Sequence, residues 1–290
     1  MKGLILEMKK ILALAIALIT AAGCISGCGE KSEVTQEKAS EPAVTQPSGK
    51  IEDLDYIKKN GELVIGYTVY EPMNYTDESG KFVGFDTEFA EAVCEKLGVE
   101  PNFVEINWDT KEVELNAKNI DCIWNGFTID EERKQNLDFS KPYIENKQVV
   151  VIKAANKDKY TDASSLSDAN LVAETSSAGE DAIKGDSELQ KAAYVAVPKQ
   201  TDALLEVKSG TADAAVLDYT LAFSMVGEGT DYSDLMIIEG LDLGVEEYGI
   251  GFRKGSDLVD EVDKIIDELK ADGTMEKIAE TYELTPILIK

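Results

Sequence analysis

The sequence predicts an α/β fold with two lobes, each formed by a sheet that is flanked by helices. Short apolar or β-branched runs alternate with segments of helical periodicity, and this alternation is typical of parallel sheets covered by helices. The scheme occurs in two successive blocks. In each block a helix leads into a strand that opens with an aspartate, Asp121 in the first and Asp213 in the second. Two such blocks indicate two lobes.

The first block begins with a buried strand at 63–67, which follows the turn signal Asn60-Gly61. The next element is a helix over 87–97, because apolar residues recur there at helical spacing and a glycine follows at the expected end. The other predicted elements of this block are, in chain order, a strand at 99–106, a helix at 109–118 and a strand at 120–124.

The β-branched run at 147–152 predicts a further strand, after which the second block repeats the scheme. Its predicted elements are, in chain order, a strand at 170–173, a helix at 179–184, a strand at 193–197, a helix at 201–209, a strand at 213–217 and a helix at 219–226. Ligands of open α/β sheets bind beyond the carboxyl ends of the strands. We therefore expect binding residues at 124–126 and at 217–218.

The charge balance and the missing residue types disfavour several functions. The chain of 290 residues has 29 basic and 56 acidic residues, a net charge of −27, so it lacks the basic face that binding nucleic acid requires. It contains no histidine, which removes the usual general base, the usual zinc ligand and every nucleophile–histidine pair. We therefore expect neither a metal nor a cofactor, and a metalloenzyme or a triad hydrolase is disfavoured.

The four cysteines do not form the paired C-x-x-C motifs of a metal site. Cys94 and Cys122 lie in the first block and are interpreted as buried thiols, with a disulfide between them as the alternative. Cys24 and Cys28 belong to the N-terminal segment and have a different interpretation.

The N-terminal segment is typical of a secreted lipoprotein. A pair of lysines precedes an apolar run at 11–22, which is shorter than the roughly 20 residues that span a membrane, and this order predicts a signal peptide. Ile25-Ser26-Gly27-Cys28 resembles a bacterial lipobox, after which cleavage leaves a lipidated cysteine. Residues 1–27 are therefore predicted to be a lipoprotein signal peptide and Cys28 the lipid anchor, with Cys24 as the alternative.

The segment 28–50 predicts a flexible tether, because it has too few large hydrophobic residues to offset the entropy of ordering it. No later segment is apolar enough to span a bilayer. We therefore expect the protein to be held on the outer face of the cell membrane by its lipid.

Arginine is rare in this chain, which makes its positions informative. Only two of the 29 basic residues are arginines, Arg133 and Arg253. The planar guanidinium group binds a carboxylate through two parallel hydrogen bonds, which lysine cannot do. Arg133 follows the predicted strand at 120–124 and is a candidate for binding a carboxylate, with an ion pair to Glu131 or Glu132 as the alternative. Arg253 lies among glycines in a turn-like context and is interpreted as a surface residue.

Four ordered motifs make the sequence resemble a known family. Gly84-Phe85-Asp86-Thr87-Glu88-Phe89, followed by Val93-Cys94 and Leu97, is similar to the signature of family 3 of the bacterial extracellular solute-binding proteins, the polar amino-acid receptors of ABC importers. The other motifs lie at 125–133 together with 138–143, at 248–255 and at 271–274. The resemblance covers about residues 51–285.

The resemblance implies a two-lobe fold of the periplasmic-binding-protein type II, in which two hinge segments let the lobes close on a ligand. On this basis residues 51–146 and 246–290 form lobe 1 and residues 147–245 form lobe 2. The hinge segments are expected near 145–148 and 245–249.

The resemblance also implies ligand-binding roles in lobe 1. Arg133 corresponds to the arginine that binds the α-carboxylate of an amino acid. Thr128 and Gly126 supply a hydroxyl, an N–H and a carbonyl to the charged groups of the ligand. Tyr70 and Trp108 fall where members of the family place ring or apolar side chains around the ligand, and core packing is the alternative for Trp108.

In lobe 2, Asp218 corresponds to the acid that pairs with the α-ammonium group of the ligand. The Ser177 hydroxyl and the Ala178 N–H face the carboxylate at a helix N-terminus, which favours anions. Capping of a helix is the alternative role for both Asp218 and Ser177. Because Arg133 and Asp218 come from opposite lobes, both meet the ligand only when the lobes are closed.

The sequence departs from the family pattern at several positions. Thr68 stands where many members have an acidic residue, and Ser176 where many have glycine. Trp124 and Asn125 replace smaller residues and are expected to narrow the side-chain pocket. Glu174 lies near a position that faces the ligand side chain in relatives, so glutamine, cystine and basic amino acids all stay open as ligands.

The leading functional prediction is a receptor that captures a polar amino acid outside the membrane and delivers it to an ABC permease and its ATPase. A sensory or adhesive ectodomain is one alternative. The other is an enzyme resembling a cyclohexadienyl dehydratase, which is disfavoured because such chemistry needs a positioned acid or base and the chain has no histidine.

Overall fold

The computed structural model describes residues 51–290, where the chain forms eleven strands and nine α-helices. The elements of lobe 1 are, in chain order, α1 (Asp53–Asn60), β1 (Glu62–Tyr67), β2 (Tyr75–Thr76), β3 (Phe82–Val83), α2 (Phe85–Leu97), β4 (Glu100–Glu105), α3 (Lys111–Asn116), β5 (Cys122–Thr128), α4 (Arg133–Asn136) and β6 (Leu137–Phe139). The chain continues through lobe 2 with β7 (Ile144–Lys153), β8 (Asn170–Glu174), α5 (Ala178–Gly185), β9 (Ala193–Val197), α6 (Gln200–Ser209), β10 (Ala214–Asp218) and α7 (Tyr219–Met225). It returns to lobe 1 with β11 (Leu235–Arg253), α8 (Leu258–Ala271) and α9 (Thr274–Thr281).

The strands of both lobes join in one nine-stranded sheet. Its order is β4-β1-β5-β11-β7-β10-β8-β9, and β6 pairs with β11. In lobe 1, β1 is parallel to β4 and β5, and in lobe 2, β8 is parallel to β9 and β10. The predicted parallel sheets are thus present, and the antiparallel pair β7–β11 connects them.

The two predicted hinge segments lie side by side in that antiparallel pair. Lys147 of β7 is paired with Val245 of β11, and Asn146 is paired with Glu246. The two segments are therefore paired neighbours at the same level of the sheet.

Each strand and helix that the sequence predicts is present, with shifted ends. The largest shift is in β5, which was expected over 120–124 and runs from Cys122 to Thr128. The predicted helix at 109–118 begins with a 3₁₀ turn, Trp108–Thr110, before α3. The sequence reasoning did not predict α1, the full length of β11, α8 or α9.

Side chains on both faces of β5 are buried. Trp124 packs edge-on against Phe89 of α2, with the ring centroids 5.1 Å apart. Phe127 belongs to the cluster on the opposite face and packs edge-on against Trp108 at 5.4 Å. Because all seven residues of β5 are buried, its carboxyl end is held firmly where the two lobes meet.

The prediction of a surface position for Arg253 was wrong. Its side chain is 4% exposed, and its guanidinium forms ion pairs with Asp53 (2.9 Å) and Asp121 (3.1 Å). Nη1 also donates to the carbonyl oxygens of Leu115 at 3.1 Å and Ile120 at 2.8 Å. The glycines beside Arg253 suggested a turn, but the residue ends β11 and its side chain joins α1, α3 and the start of β5.

Cys94 and Cys122 are both buried free thiols, so the disulfide alternative is excluded. Burial raises the pKa of the Cys94 thiol to about 12, which keeps it protonated.

Residues 51–290 contain no helix with the length and apolar character that crossing a bilayer demands. Within the same range, acidic and cysteine side chains do not gather into a group that could hold a metal ion.

The signal peptide at 1–27, the anchor at Cys28 or Cys24 and the tether at 28–50 lie outside the described residues. They stay predictions from the sequence.

Candidate functional site

A small cavity lies between the lobes, where β5 and β10 end. Its free volume is about 10 Å³, room for roughly one water molecule, so the closed lobes leave far less space than the roughly 300–1,000 Å³ of a pocket for a drug-sized ligand. Eight of the ten predicted ligand-binding residues line it, and Thr68 and Tyr70 are the two that do not. Glu174 and Gln200 complete the lining.

Arg133 projects from the first turn of α4 toward this cavity. Its Nη1 donates to the carbonyl oxygen of Thr128 at 2.8 Å, and its Nε forms an ion pair with Asp130 at 2.9 Å. The guanidinium lies 4.9 Å from the centre of the Phe127 ring. The predicted alternative of an ion pair with Glu131 or Glu132 was wrong, since Asp130 is the partner. Within the described part of the chain these bonds leave Nη2 of Arg133 available to a ligand carboxylate.

Asp218 reaches the cavity from the opposite lobe, at the end of β10. Its Oδ1 accepts from Asn146 Nδ2 at 2.9 Å and from Gln148 Nε2 at 2.6 Å, and its Oδ2 accepts from Gln200 Nε2. Asp218 also occupies the N-cap position of α7, as the capping alternative predicted, but its side chain makes no capping hydrogen bond. All three donors are neutral amides, so they orient the carboxylate without neutralising it.

The loop before α5 forms the lobe 2 wall. Ser177 Oγ accepts from the Glu180 N–H at 3.1 Å, so Ser177 caps α5 and also lines the cavity, as does Ala178. Ser176 has a φ of 57°, which is the left-handed region that glycine favours.

Gly126 has its N–H bound within lobe 1. It donates to Asp86 Oδ2 at 2.7 Å, so this N–H is used within lobe 1, and Gly126 itself lines the cavity. Burial raises the pKa of Asp86 to about 7. With a φ of 56°, Gly126 adopts a backbone that would bring an added Cβ to 2.7 Å from the Tyr70 ring. Only glycine fits there.

Thr68 and Tyr70 act behind the cavity wall. Asn125 Oδ1 accepts from Thr68 Oγ1 at 2.8 Å and from the Thr68 N–H at 3.1 Å. Asn125 Nδ2 donates to the Thr68 carbonyl at 2.9 Å and to Asn74 Oδ1 at 2.8 Å. The hydrogen-bonding groups of the Asn125 amide are therefore all occupied within lobe 1, and these bonds fix the side chain in the cavity wall. Tyr70 Oη bonds to Tyr248 Oη at 2.7 Å and to Thr220 Oγ1 of lobe 2.

Glu174 is the least satisfied polar group of the cavity. It is 2% exposed, and its Oε1 has no hydrogen-bond partner among the described residues. Burial first, and the charge of Asp218 second, raise the pKa of Glu174 well above its usual range. A cation that enters the cavity would meet this carboxyl group.

Sequence reasoning missed Gln200, although a signal was present. Gln200 closely follows the carboxyl end of β9, which is where ligands of such sheets bind. Its Oε1 accepts from the Asp218 N–H at 3.0 Å, and its Nε2 donates to the Asp218 carboxylate. It therefore fixes Asp218 through both backbone and side chain.

The lobes are closed around the cavity. Lys111 Nζ of α3 donates to the Ser176 carbonyl in lobe 2 at 2.9 Å, and Ser176 Oγ donates to Asp109 Oδ1 at 2.8 Å. Ser224 Oγ of α7 donates to Glu71 Oε1 at 3.1 Å. Burial, and then the nearby charge of Arg133, lower the pKa of Lys111 to about 8. The sequence did not indicate that Lys111 contacts the other lobe, since lysine is the common surface cation throughout this chain.

Trp108 combines the predicted binding role with its core alternative. Its ring packs on Phe127 and is 6% exposed, and the same ring lines the cavity. Lys111 Nζ lies 4.8 Å from the centre of the Trp108 ring and donates to its carbonyl oxygen at 3.1 Å. The ring is thus held between core and cavity.

The fold and the enclosed site define a class of protein. Two α/β lobes, joined by two neighbouring strands, close on a cavity that presents a guanidinium from one lobe and a carboxylate from the other. This is the arrangement of a two-lobe solute-binding protein. Residues 63–285 match the family described as bacterial extracellular solute-binding proteins, family 3, and the chain belongs to that family.

Known proteins that are similar to this chain are described as amino-acid-binding proteins. The L-cystine-binding protein TcyJ from Escherichia coli is 28% identical over 232 residues, which cover 79% of this chain and 85% of that protein. The structure of an amino acid ABC transporter substrate-binding protein from Streptococcus pneumoniae bound to L-arginine is 28% identical, with a TM-score of 0.73, over 83% of this chain and 100% of that chain. The structure of the ancestral amino acid-binding protein AncCDT-1, a precursor of cyclohexadienyl dehydratase, is 32% identical, with a TM-score of 0.72, over 80% of this chain and 99% of that chain.

Proposed function

We propose that this protein is the substrate-binding component of an ABC importer, which captures an amino acid between its lobes and delivers it to the permease and its ATPase. The observation that carries the proposal is that Arg133 and Asp218, from opposite lobes, line one closed cavity. An amino acid carries a carboxylate and an ammonium group a few ångströms apart, and these two side chains match its two charges. We also propose that the lobes meet at 146/147 and 245/246, within the β7–β11 pair.

The contacts available to an amino acid are sufficient for tight binding. We assign Nη2 of Arg133 and the N-terminus of α5 to the carboxylate, and Asp218 and the Gly126 carbonyl to the ammonium; Arg133, Ala178, Asp218 and Gly126 all line the cavity. Each charge-assisted hydrogen bond contributes about 1.5–3 kcal/mol net, and a helix N-terminus adds about 0.3–1 kcal/mol for an anion. A few such contacts exceed the roughly 8 kcal/mol of micromolar binding before the entropic cost of association is subtracted.

Calorimetric titration of the purified mature protein with each standard amino acid and with cystine tests this function. We expect one molecule bound per chain, with a Kd in the micromolar range or below. Binding of none of these ligands would contradict the proposal.

We further propose that the ligand carries a second cation on its side chain. With Arg133 and Asp218 assigned to the α-carboxylate and the α-ammonium, Glu174 is left in the cavity without a partner. A buried unpaired carboxyl group is costly, and a cationic partner removes that cost by stabilising its ionised form. A basic amino acid such as arginine or lysine satisfies this group, whereas glutamine offers it one neutral amide.

The variant Glu174→Gln tests the side-chain preference. We expect its Kd for L-arginine to rise by roughly 10- to 100-fold, because a charge-assisted contact worth about 1.5–3 kcal/mol is lost. Its Kd for L-glutamine should change much less. Glu112→Gln, which removes a carboxylate at the mouth of the cleft, is the matched control and should leave both values near those of the parent. Equal losses for arginine and glutamine in Glu174→Gln would show that Glu174 only supports the fold.

We infer that the protein binds its ligand without turnover. Its family consists of binding proteins, although AncCDT-1 is a precursor of a dehydratase and Glu174 is a buried acid inside the cavity. Long incubation with cyclohexadienyl acids should therefore give no product.

A genome in which permease and ATPase genes do not neighbour this gene would favour the sensory or adhesive alternative.

We propose that lipid on Cys28 anchors the protein to the outer face of the membrane. In cells that process lipoproteins, Cys28→Ser should move the protein from the detergent phase to the aqueous phase of a Triton X-114 separation. Cys24→Ser is the matched control and should stay in the detergent phase. The reverse result would assign the anchor to Cys24.

A further inference from the structure

A second carboxyl group, that of Glu246 in β11, faces Asp218 across two shared amides. Asn146 Nδ2 donates to Asp218 Oδ1 at 2.9 Å and to Glu246 Oε1 at 2.6 Å. Gln148 Nε2 donates to the same two oxygens at 2.6 Å and 2.9 Å. Each amide group thus uses both of its hydrogens to bridge the two carboxyl groups. The bridge lies at the hinge, where Asn146 and Glu246 are paired residues of β7 and β11.

No cation forms an ion pair with Asp218 or Glu246 in the described part of the chain. Arg133 lies across the cavity from Asp218, and its guanidinium is bonded to Thr128 and Asp130. The other titratable and charged groups that face the pair or lie beside it are Tyr70 and Tyr248, Glu174, Glu145, Lys147 and Glu247 on the hinge strands, and Asp130, Glu131, Glu132, Asp181 and Lys184 along the adjoining groove. The two lysines are paired elsewhere, Lys147 with Asp242 and Lys184 with Glu180, both at 2.8 Å. The bridging amides are neutral.

Two facing carboxyl groups that form no ion pair resist double ionisation. Burial first, and the charge of Asp218 second, raise the pKa of Glu246 to about 8. The protonated form of Glu246 is therefore favoured while the cavity is empty.

We propose that Asp218 and Glu246 act together as the ammonium site, sharing one proton when the cavity is empty and releasing it to water when a ligand α-ammonium group binds. Only the carboxyl O–H bond breaks, and the ammonium charge beside Asp218 compensates the second negative charge that the pair then carries. Glu246 is a positioning residue in this scheme, because it acts through Asp218 and lies outside the cavity lining. The inference depends on the proposed function, since it requires a ligand with an ammonium group.

The sign of the pH dependence follows from the competition between proton and ligand. An ammonium group beside the pair lowers its pKa by about 1–3 units, so affinity rises with pH until the empty pair is ionised. Between pH 6 and pH 8 this predicts a rise in affinity of about 5- to 50-fold. Asp86 and Lys111, whose pKa values are about 7 and about 8, also titrate in this range, so a variant is needed to assign the effect.

Glu246→Gln separates these contributions, because glutamine can accept from both amides and can donate to Asp218 as the protonated acid does. L-arginine and L-glutamine, which share the same α-ammonium group, are titrated by calorimetry at pH 7 in phosphate and in Tris. The different ionisation heats of the buffers give the number of protons released. We expect Glu246→Gln to bind as the parent does at pH 6, to release about one proton fewer, and to lose the rise in affinity toward pH 8.

The matched control is Glu247→Gln, which changes the next residue of the same strand, an exposed one. It should release as many protons as the parent. Infrared difference spectra of the parent protein, recorded on addition of L-glutamine at pH 7, provide a measurement that needs no variant, because glutamine carries no side-chain cation that would ionise Glu174. They should show loss of a protonated carboxyl band.

Equal proton release by the parent and by Glu246→Gln, or an infrared spectrum without loss of a carboxyl band, would overturn the inference while the binding function stands. Failure of the parent to bind any amino acid would instead overturn the proposed function, and the shared-proton site with it.

Discussion

Arg133→Met is expected to raise the Kd for the amino-acid ligand on the order of 100- to 1,000-fold. Removing one partner of a buried, hydrogen-bonded charge pair costs about 2–5 kcal/mol, much of it from leaving the ligand carboxylate unpaired in a closed cavity. The empty protein should keep most of its stability, because the Asp130 partner of Arg133 is 36% exposed and can be solvated. Titration calorimetry measures the loss of affinity, and thermal unfolding without ligand checks the fold.

Two further variants make the Arg133 experiment specific. Arg133→Lys keeps the charge but loses the two-pronged geometry, so its Kd should lie between those of the parent and Arg133→Met. Lys134→Met changes the neighbouring exposed cation, which pairs with Glu131, and should bind normally. Parent-like affinity in Arg133→Met would remove the carboxylate role of Arg133 and the basis of the proposed function.

Arg253→Met is expected to lower the free energy of unfolding by about 3–5 kcal/mol, because it leaves the buried carboxylate of Asp121 without its cation and that of Asp53 with only the half-exposed Lys118. Burial raises the pKa of Asp53, but hydrogen bonds from Arg253 and Ser256 and the charge of Arg253 lower it below its usual range. This stabilisation is therefore present at neutral pH and is lost as acid protonates the carboxylate. The midpoint of urea unfolding, followed by circular dichroism, measures the effect.

Lys254→Met is the control for Arg253→Met. Lys254 is the next residue and pairs with Asp138 at 2.7 Å, but its side chain is 44% exposed, and such surface pairs contribute about 0–1 kcal/mol. Combining Arg253→Met with Asp53→Asn and Asp121→Asn should restore part of the lost stability, because the unpaired charges are gone. A small effect of Arg253→Met, or no recovery in the combined variant, would contradict the role assigned to this ion-pair cluster.

The sequence was sufficient to predict the order of the strands and helices of five or more residues between 63 and 226, since periodicity and glycine stops act locally, but it missed the short elements β2, β3, α4 and β6. It also singled out Arg133 and Asp218 as binding candidates, because ligands bind beyond the carboxyl ends of strands and because arginine is rare in this chain. Their placement on opposite lobes of one cavity agrees with that reasoning.

What the sequence could not supply were contacts between distant segments. The partners of Arg253 lie 200 and 132 positions away, and no local pattern indicates such a meeting. The use of the Gly126 N–H by Asp86 depends on how α2 packs against β5. Lys111 and Glu246 resemble other charged residues until the lobes come together, and only then do their positions distinguish them.

The antiparallel pair of β7 and β11 has a mechanical consequence. Because both crossings between the lobes are hydrogen-bonded to each other, the lobes cannot swing on independent swivels. Opening therefore has to bend and twist the two paired strands together, and this restricts the relative motion of the lobes to one dominant direction. The backbone pairing between 144–147 and 245–248 should then persist while the lobes open and close. The strain of the bent strands, and not the re-forming of broken hydrogen bonds, would return the lobes to the closed position.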